Sequence, residues 1–319
     1  MERLIRHGSI VSSVPLPQAL VIGPLAYDDV VTPLASRSRV LGGSAAYASI
    51  AAAKHGSALL VSVCGSDLRD DDLAVLRTAG IDVSGIEWRD GRTLRWSGTY
   101  SDDFSLSVVR NTDLGAVVGW RPAVPAAGQE TAHVFLTNTD PEIQAAALDQ
   151  LRPAVVLLDT MNEWILGHRH RLEQIVARVT VLSVNEHELR LISGEEDLAR
   201  GAAMVLARGP EAVLVKRGAR GASLFTPAGS FTVPAHPTRT IDPTGAGDAL
   251  GGAFIGSLAR SRRTGDAAYR DALVSGVAAA SFAVESFGVD ALARASLGDI
   301  DARAAALAQH SGTGTGPGL

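Results

Sequence analysis

Short runs of aliphatic and β-branched residues alternate with Ala-rich stretches of helical character over most of the chain. Strands covered by helices on both faces read as continuous apolar runs, so this alternation predicts an α/β fold with a three-layer, doubly wound, mostly parallel sheet. The predicted strands are 19–22, 58–63, 133–136, 155–158, 179–183 and 212–216, and the predicted helices include 44–55, 141–151, 198–207 and 246–259. Right-handed crossovers in such a sheet bring ligand groups to the carboxyl ends of the strands.

The segment 92–110 breaks this pattern. Thr93, Leu94, Arg95, Trp96, Ser97, Gly98, Thr99 and Tyr100, followed by 104–109, show partial alternation and no helical period, which predicts a β-hairpin. A second extended piece, 30–41, is placed to pair with it. The expected organisation is one domain over 1–310 carrying a discontinuous β-sheet lid from about 30–41 and 92–110. Leu94, Trp96, Phe104 and Leu106 would give that lid an apolar face in need of a partner surface, and a homodimer through the lid is one expectation. The Gly/Thr/Pro-rich tail 311–319 is expected to lack order, because it buries too little surface to offset its ordering entropy.

Composition narrows the function. With 319 residues, 46% hydrophobic and 20% charged, the chain builds a full core. A formal charge of −5 and the absence of any Lys/Arg run argue against a nucleic-acid partner. Arg3 and Arg6 precede no sustained apolar region, and no stretch of about 18 apolar residues occurs, so neither an export signal nor a membrane span is expected. The single cysteine, Cys64, sits in an apolar run and reads as a buried reduced thiol, which fits a cytoplasmic location. Among the eight histidines there is no metal-ligand spacing, and His168 and His170 lie in a polar, Arg-bearing stretch.

The strongest chemical pattern is Asp242-Pro243-Thr244-Gly245-Ala246-Gly247-Asp248-Ala249-Leu250-Gly251-Gly252-Ala253-Phe254. A Gly-Ala-Gly turn that opens a helix leaves N–H groups without carbonyl partners, at the positive end of the helix dipole. Gly245, Ala246 and Gly247 are therefore the candidate anion hole. Asp248, in the first helical turn, is the candidate base for a hydroxyl held beside a phosphoryl group. In isolation, a glycine-containing helix start with a first-turn acid is equally an ordinary cap; the full string, with Gly251 and Gly252 along one face, is what points to phosphoryl transfer.

This string closely resembles the C-terminal motif of the ribokinase-like (PfkB) superfamily. The resemblance implies an ATP-dependent, magnesium-requiring kinase acting on a hydroxyl of a small sugar, cyclitol or nucleoside, with the final aspartate as base. It also implies that Asp242 and Thr244, with the stretch 281–288, hold a monovalent cation such as K+. Gly42-Gly43-Ser44-Ala45-Ala46-Tyr47 resembles the family's diglycine element, in which glycines hinge the lid and the next helix lines the acceptor pocket. Gly43 and Tyr47 are thus substrate-binding candidates, Tyr47 standing where sugar-specific members carry an asparagine.

Asp28, after the first strand, resembles the family aspartate that binds substrate hydroxyls, with Asp29 as the competing register. Asn185-Glu186-His187-Glu188 resembles the Asn-x-x-Glu element, which makes Asn185 and Glu188 candidates for holding magnesium mostly through water; alone, the pair is more often a helix cap. Lys216, Gly218 and Gly221 match the region where nucleotide phosphates and sugar approach, although a solvated strand-end lysine is an equal reading. Asn138 and Asn162 follow predicted strands and are further substrate contacts. The segment around Asn162 resembles the Asp-x-Asn-x-Arg of fructokinase-like members but lacks the arginine, which argues against an acidic or fructose-type acceptor. Tyr27, Tyr47, Trp96 and Tyr100 favour a flat or ring-shaped one.

A nicotinamide dehydrogenase is excluded because no Gly-x-Gly-x-x-Gly follows the first strand. A catalytically silent, kinase-like binding module is the remaining alternative, and the presence of Asp248 with its complete turn disfavours it.

Overall fold

Each apolar run becomes a strand because its alternate side chains enter two separate cores. In the computed structural model, which describes residues 16–104 and 107–314, ten strands form the main sheet. They are β1 (Ala19–Ile22), β4 (Ala58–Gly65), β5 (Ile81–Arg89), β8 (His133–Leu136), β9 (Val155–Asp159), β10 (Val181–Asn185), β11 (Ala212–Lys216), β12 (Ala222–Thr226), β13 (Gly229–Val233) and β14 (Gly312–Gly314). The remaining strands, β2 (Ala26–Val31), β3 (Ser36–Gly42), β6 (Leu94–Tyr100) and β7 (Ser107–Asp113), form a second, smaller sheet.

The main sheet runs β14-β13-β12-β11-β10-β9-β8-β1-β4-β5, parallel from β11 to β5 and antiparallel beyond. Val21, Leu60, Phe135, Leu157 and Leu214 face one core with the helices Ser44–Ala53, Ala246–Ser261 and Asp266–Ala283. Leu20, Leu59, Val134, Val156 and Val213 face the other, beneath Pro141–Leu148 and Leu198–Leu206. This is the expected three-layer arrangement. Among the described residues no helix is long and apolar enough to cross a membrane. Cys64 is buried and free, and burial pushes its thiol up to about 12, as expected of an inert one.

Three expectations are corrected. The small sheet, ordered β3-β2-β6-β7, begins at Ala26, so Asp28 belongs to it rather than to the end of the first main strand. Its Leu94 and Trp96 turn inward onto a cavity instead of outward, which removes the argument for a dimer from these two side chains; Leu106 lies outside the described residues. Part of the tail, 312–314, is ordered as β14, because the exposed edge of β13 offers it backbone partners at Ser230, Phe231 and Thr232. Residues 315–319 lie outside the described ones.

The helix Ala246–Ser261 packs against Ser44–Ala53 almost backbone to backbone. A methyl group on Gly252 would come within 2.1 Å of the Ala48 carbonyl oxygen, and one on Gly256 within 2.7 Å of that of Ala52. Gly252→Ala is therefore expected to cost about 1–3 kcal/mol by forcing the helices apart. Thermal unfolding of the variant tests this, and a melting temperature equal to that of the unaltered protein would contradict the contact.

Candidate active site

The turn before the helix Ala246–Ser261 is built by Gly245, which adopts φ 76° and ψ 0°, a left-handed conformation that costs glycine nothing. Its bare Cα faces the Tyr47 ring; a Cβ there would sit 2.4 Å from ring carbons. The Ala246 N–H donates to the Pro243 carbonyl at 3.3 Å and so is already partnered, a correction to the three-residue anion hole. The N–H groups of Gly245 and Gly247 have no backbone acceptor among the described residues. Of the three candidate amides, only those of Gly245 and Gly247 are left free to meet an anion.

Asp248 lines the adjoining cavity, so its carboxyl is reached from that side while protein encloses it on the others. Burial raises its pKa to about 7; nearby Asp159 adds to the rise and Lys216 opposes it. The cavity measures about 530 Å³ and takes in both Asp28 and Asp248. It lies where the carboxyl ends of β1 and β8 meet the small sheet, and the 112–121 segment closes a further side.

Asp28 is 3% exposed. Burial lifts its carboxyl to about 7, the Gly43 N–H holds it down, and Asp242, Asp248 and Asp29 push it up. The neighbouring Asp29 instead accepts the Arg39 N–H at 2.7 Å within the small sheet. Both glycines of the Gly42-Gly43 element have steric reasons to be there. A Cβ on Gly42 would lie 1.9 Å from Asp28 Oδ2, and Gly43, at φ 82°, would place one 2.6 Å from the Ala26 nitrogen. Ser44 then ties the helix start to β8, with its Oγ 2.8 Å from Thr137 Oγ1 and donating to the Asn138 carbonyl at 3.2 Å.

Tyr47 and Asn138 line the cavity, but the Asn138 side chain is engaged: its Oδ1 accepts the Trp164 Nε1–H at 3.0 Å. Asn162 is absent from the cavity wall. It opens the short helix Asn162–Gly167, and Met161 and Trp164 present themselves to the cavity in its stead. Tyr27 also points elsewhere, donating to Asp72 at 2.6 Å under the guanidinium groups of Arg39, Arg69 and Arg95. Tyr100, from β6, reaches Thr244, with hydroxyl oxygens 3.0 Å apart.

On the other side of Asp248, Asn185 and Glu188 form a reciprocal capping box, each side chain accepting the other's backbone N–H at 2.8 and 2.7 Å. Glu188 is 5% exposed; burial raises it to about 7, with Asp159 adding and Lys216 opposing. Lys216 Nζ donates to both oxygens of Asp159, at 2.7 and 2.9 Å. Asp159 was no sequence candidate. Gly218 and Gly221 form the turn after β11; the missing Cβ of Gly221 admits the Val233 carbonyl, which one would approach to 2.0 Å.

Asp242 is fully buried. Its Oδ1 accepts the Thr244 N–H at 2.9 Å, while Oδ2 has no partner. His168 and His170 are exposed, and no group of three or more His, Cys, Asp or Glu side chains among the described residues is arranged to hold a metal ion.

The comparisons with known proteins converge. A family model described as "pfkB family carbohydrate kinase" matches residues 20–295. The cytidine kinase of Thermococcus kodakarensis is 30% identical over 251 residues, 76% of this chain and 89% of that one. The ATP-dependent ribose-1-phosphate kinase of Halopiger xanaduensis is 30% identical over 225 residues, 69% and 74% of the two chains. The solved structure of a putative ribokinase II from E. coli in complex with ATP and Mg2+ superposes with a TM-score of 0.74 at 22% identity, covering 90% of this chain and 99% of that one.

The three carboxyls raised to about 7 make the unliganded protein sensitive to alkali. A carboxyl whose pKa is higher in the fold than in the unfolded chain contributes stability below its unfolded value, and that contribution is lost as pH rises through the folded one. The melting temperature is therefore expected to be lower at about pH 8 than at about pH 5, with a flatter dependence in Asp28→Asn. Parallel curves for the two proteins would exclude Asp28 as a source.

Proposed function

Since the chain belongs to the pfkB family of carbohydrate kinases and is a small-molecule kinase, we propose that it transfers the γ-phosphoryl group of ATP to a hydroxyl of a nucleoside, with Asp248 as the base. One observation carries this reading: a carboxyl raised to about 7 opens onto an acceptor-sized cavity directly beside two unpaired amides at a helix N-terminus. As the acceptor oxygen bonds to the γ-phosphorus and the bond to the ADP oxygen breaks, Asp248 takes the hydroxyl proton. The Gly245 and Gly247 amides receive the negative charge of the migrating phosphoryl.

Asn185 and Glu188 would hold magnesium, which would supply positive charge to offset that of the nucleotide phosphates. The donor set fits an ion kept largely hydrated: Asn185 and Glu188 are engaged in their capping box, but Glu188 Oε1 has no partner among the described residues. Asp242 Oδ2, buried and unpartnered, fits a monovalent cation such as K+, whereas the Thr244 hydroxyl is already engaged by Tyr100. Lys216, Gly218 and Gly221 lie on the nucleotide side. Asp28 and the Gly43 turn hold the acceptor's hydroxyls.

The acceptor class follows from the cavity wall. Leu94, Trp96, Leu114, Val117, Met161 and Trp164 give the wall an apolar, partly aromatic area, which suits a base ring. Asp28, paired in register with Trp96, and Asp248 share that wall and are able to accept from neutral hydroxyls. Among the described residues Arg121 is the one Lys, Arg or His on the wall, and it is exposed. A phosphorylated sugar would put its phosphate among carboxylates with no inward cation, so the ribose 1-phosphate named for one relative fits less well than the cytidine named for the other.

A panel with ATP and magnesium is expected to show turnover with nucleosides and little with ribose 1-phosphate or free ribose; the reverse order would overturn the acceptor assignment. Asp248→Asn should keep ATP binding and lower turnover by about two to four orders of magnitude, and wild-type kcat/KM should rise with pH through about 7 as the base ionises. Full activity in the variant removes Asp248 from the mechanism. The hydrogen bond from β6 to Thr244 closes the small sheet over the phosphoryl position and excludes water. Tyr100→Phe is expected to raise ATP hydrolysis relative to transfer, and an unchanged ratio would show that this bond does not hold the sheet closed.

A further inference from the structure

The ion pair between buried Asp159 and half-buried Lys216 has been given no step in the transfer just described beyond the place of Lys216 on the nucleotide side. Asp159 ends β9 and is 3% exposed; Lys216 ends β11, and its ammonium reaches across the end of β10 to both carboxylate oxygens. Desolvating two charges costs more than most ion pairs return, so such a pair is weak evidence for stability and asks for another account. Its location supplies one. The Lys216 side chain lies across Gly247: a methyl group on that glycine would meet Cδ at 3.0 Å and Nζ at 3.4 Å. The ammonium is thus held at the edge of the anion hole.

Lysine has a flexible stem and a point charge, so nothing in the side chain itself fixes that position. Three carboxyls surround it electrostatically: Asp159, Glu188 and Asp248. Burial works against its charge, but Asp159 and Glu188 outweigh burial and keep it protonated. Were the ammonium to settle on Asp248, it would occupy the oxygen that has to accept a proton. We propose that Asp159 is a positioning residue for phosphoryl transfer, its carboxylate gripping Lys216 beside the Gly247 amide and away from Asp248, which leaves the ammonium for the phosphoryl group and the base for the acceptor. The inference rests on Asp248 being the base.

The groups whose charge bears on Asp248 are Asp159 at the end of β9, Lys216 at the end of β11, Glu188 in the first turn of its helix, Asp28 in the small sheet, and the Tyr47 and Tyr100 hydroxyls on the acceptor side. Lys216 is the one cation among them. Removing the Asp159 charge and releasing the ammonium toward Asp248 act in the same direction on the base, and removing the ammonium acts in the opposite one.

The test is the pH profile of kcat/KM for transfer to a nucleoside, with circular dichroism to confirm folding. In Asp159→Asn the acid limb is expected to move to lower pH by about one unit, with a raised KM for ATP. In Lys216→Met it should move to higher pH, and Asp159→Glu, which restores the charge, should return the limb toward its original place. A limb that stays put in Asp159→Asn, or shifts the same way in both variants, overturns the positioning role. If Asp159→Asn does not fold, an unmoved limb in Lys216→Met overturns it equally. Asp248→Asn separates the two readings: a limb near 7 that persists in its residual activity means the base was misassigned, whereas a limb that vanishes there but is unmoved in Asp159→Asn condemns only the positioning role.

Discussion

Everything at this site depends on the seating of one helix start. The Gly245 and Gly247 amides can face a phosphoryl group only if no side chain shields them and no carbonyl satisfies them, and a helix end left in that state must be fixed by packing farther along. Gly252 and Gly256 provide the fixing, since they let the helix Ala246–Ser261 rest on the carbonyls of Ala48 and Ala52. The helix it rests on, Ser44–Ala53, begins at Gly43 and carries Tyr47, both on the cavity wall. Donor and acceptor positions are therefore registered through a backbone-to-backbone contact with no flexible side chain in between.

Charge is distributed around that contact unevenly. Asp28, Asp242, Asp248, Asp159 and Glu188 converge on the site with Lys216 as a half-buried cation among them. In the unliganded protein this excess is relieved by raised proton affinities at Asp28, Asp248 and Glu188. A hydroxyl-bearing neutral acceptor, a cation at Asp242 and magnesium carried with the nucleotide each reduce the repulsion. A second anion on the acceptor would add to it. On the proposed reading, burial sets the proton affinity that Asp248 needs as a base, and the excess of carboxylates around it disfavours a phosphorylated acceptor.

How much of this could be read from the chain varied with the range of the interactions. The strands of the main sheet and the helix beginning at Ala246 follow from local patterns, because alternation and glycine turns act within a few residues, whereas the choice of Asp28 over Asp29 rested on the resemblance to the family. Asn162 was misplaced by one residue against Met161, since a short helix start gives no sign of which side chain turns inward. Asn185 and Glu188 do stand three apart at a helix start, but they satisfy each other's N–H groups, an outcome equally written in their spacing. Lys216 was a candidate, but its pairing with Asp159 stayed hidden because the strand β10 lies between them, and only the order β9-β10-β11 brings the carboxylate within reach of the ammonium. The wall from 112–121 and the Tyr100–Thr244 contact were likewise invisible, being products of how the small sheet folds over the large one.

That division has a functional consequence. The parts that handle the phosphoryl group come from the helix start and the strand ends of the main sheet, where parallel pairing and two cores hold each residue in place. The apolar lining of the cavity comes from Leu94 and Trp96 of the small sheet, the 112–121 segment, and Met161 and Trp164 beside β9. These belong neither to the Gly245 and Gly247 turn nor to the helix contact that seats it. Substitutions among them can reshape the cavity without disturbing the amides of Gly245 and Gly247. On the proposed reading, acceptor choice is a property of the small sheet and its neighbouring loops, while reaction type is a property of the helix beginning at Ala246, and the two meet at Asp28, Gly43, Tyr47 and the Tyr100–Thr244 hydrogen bond.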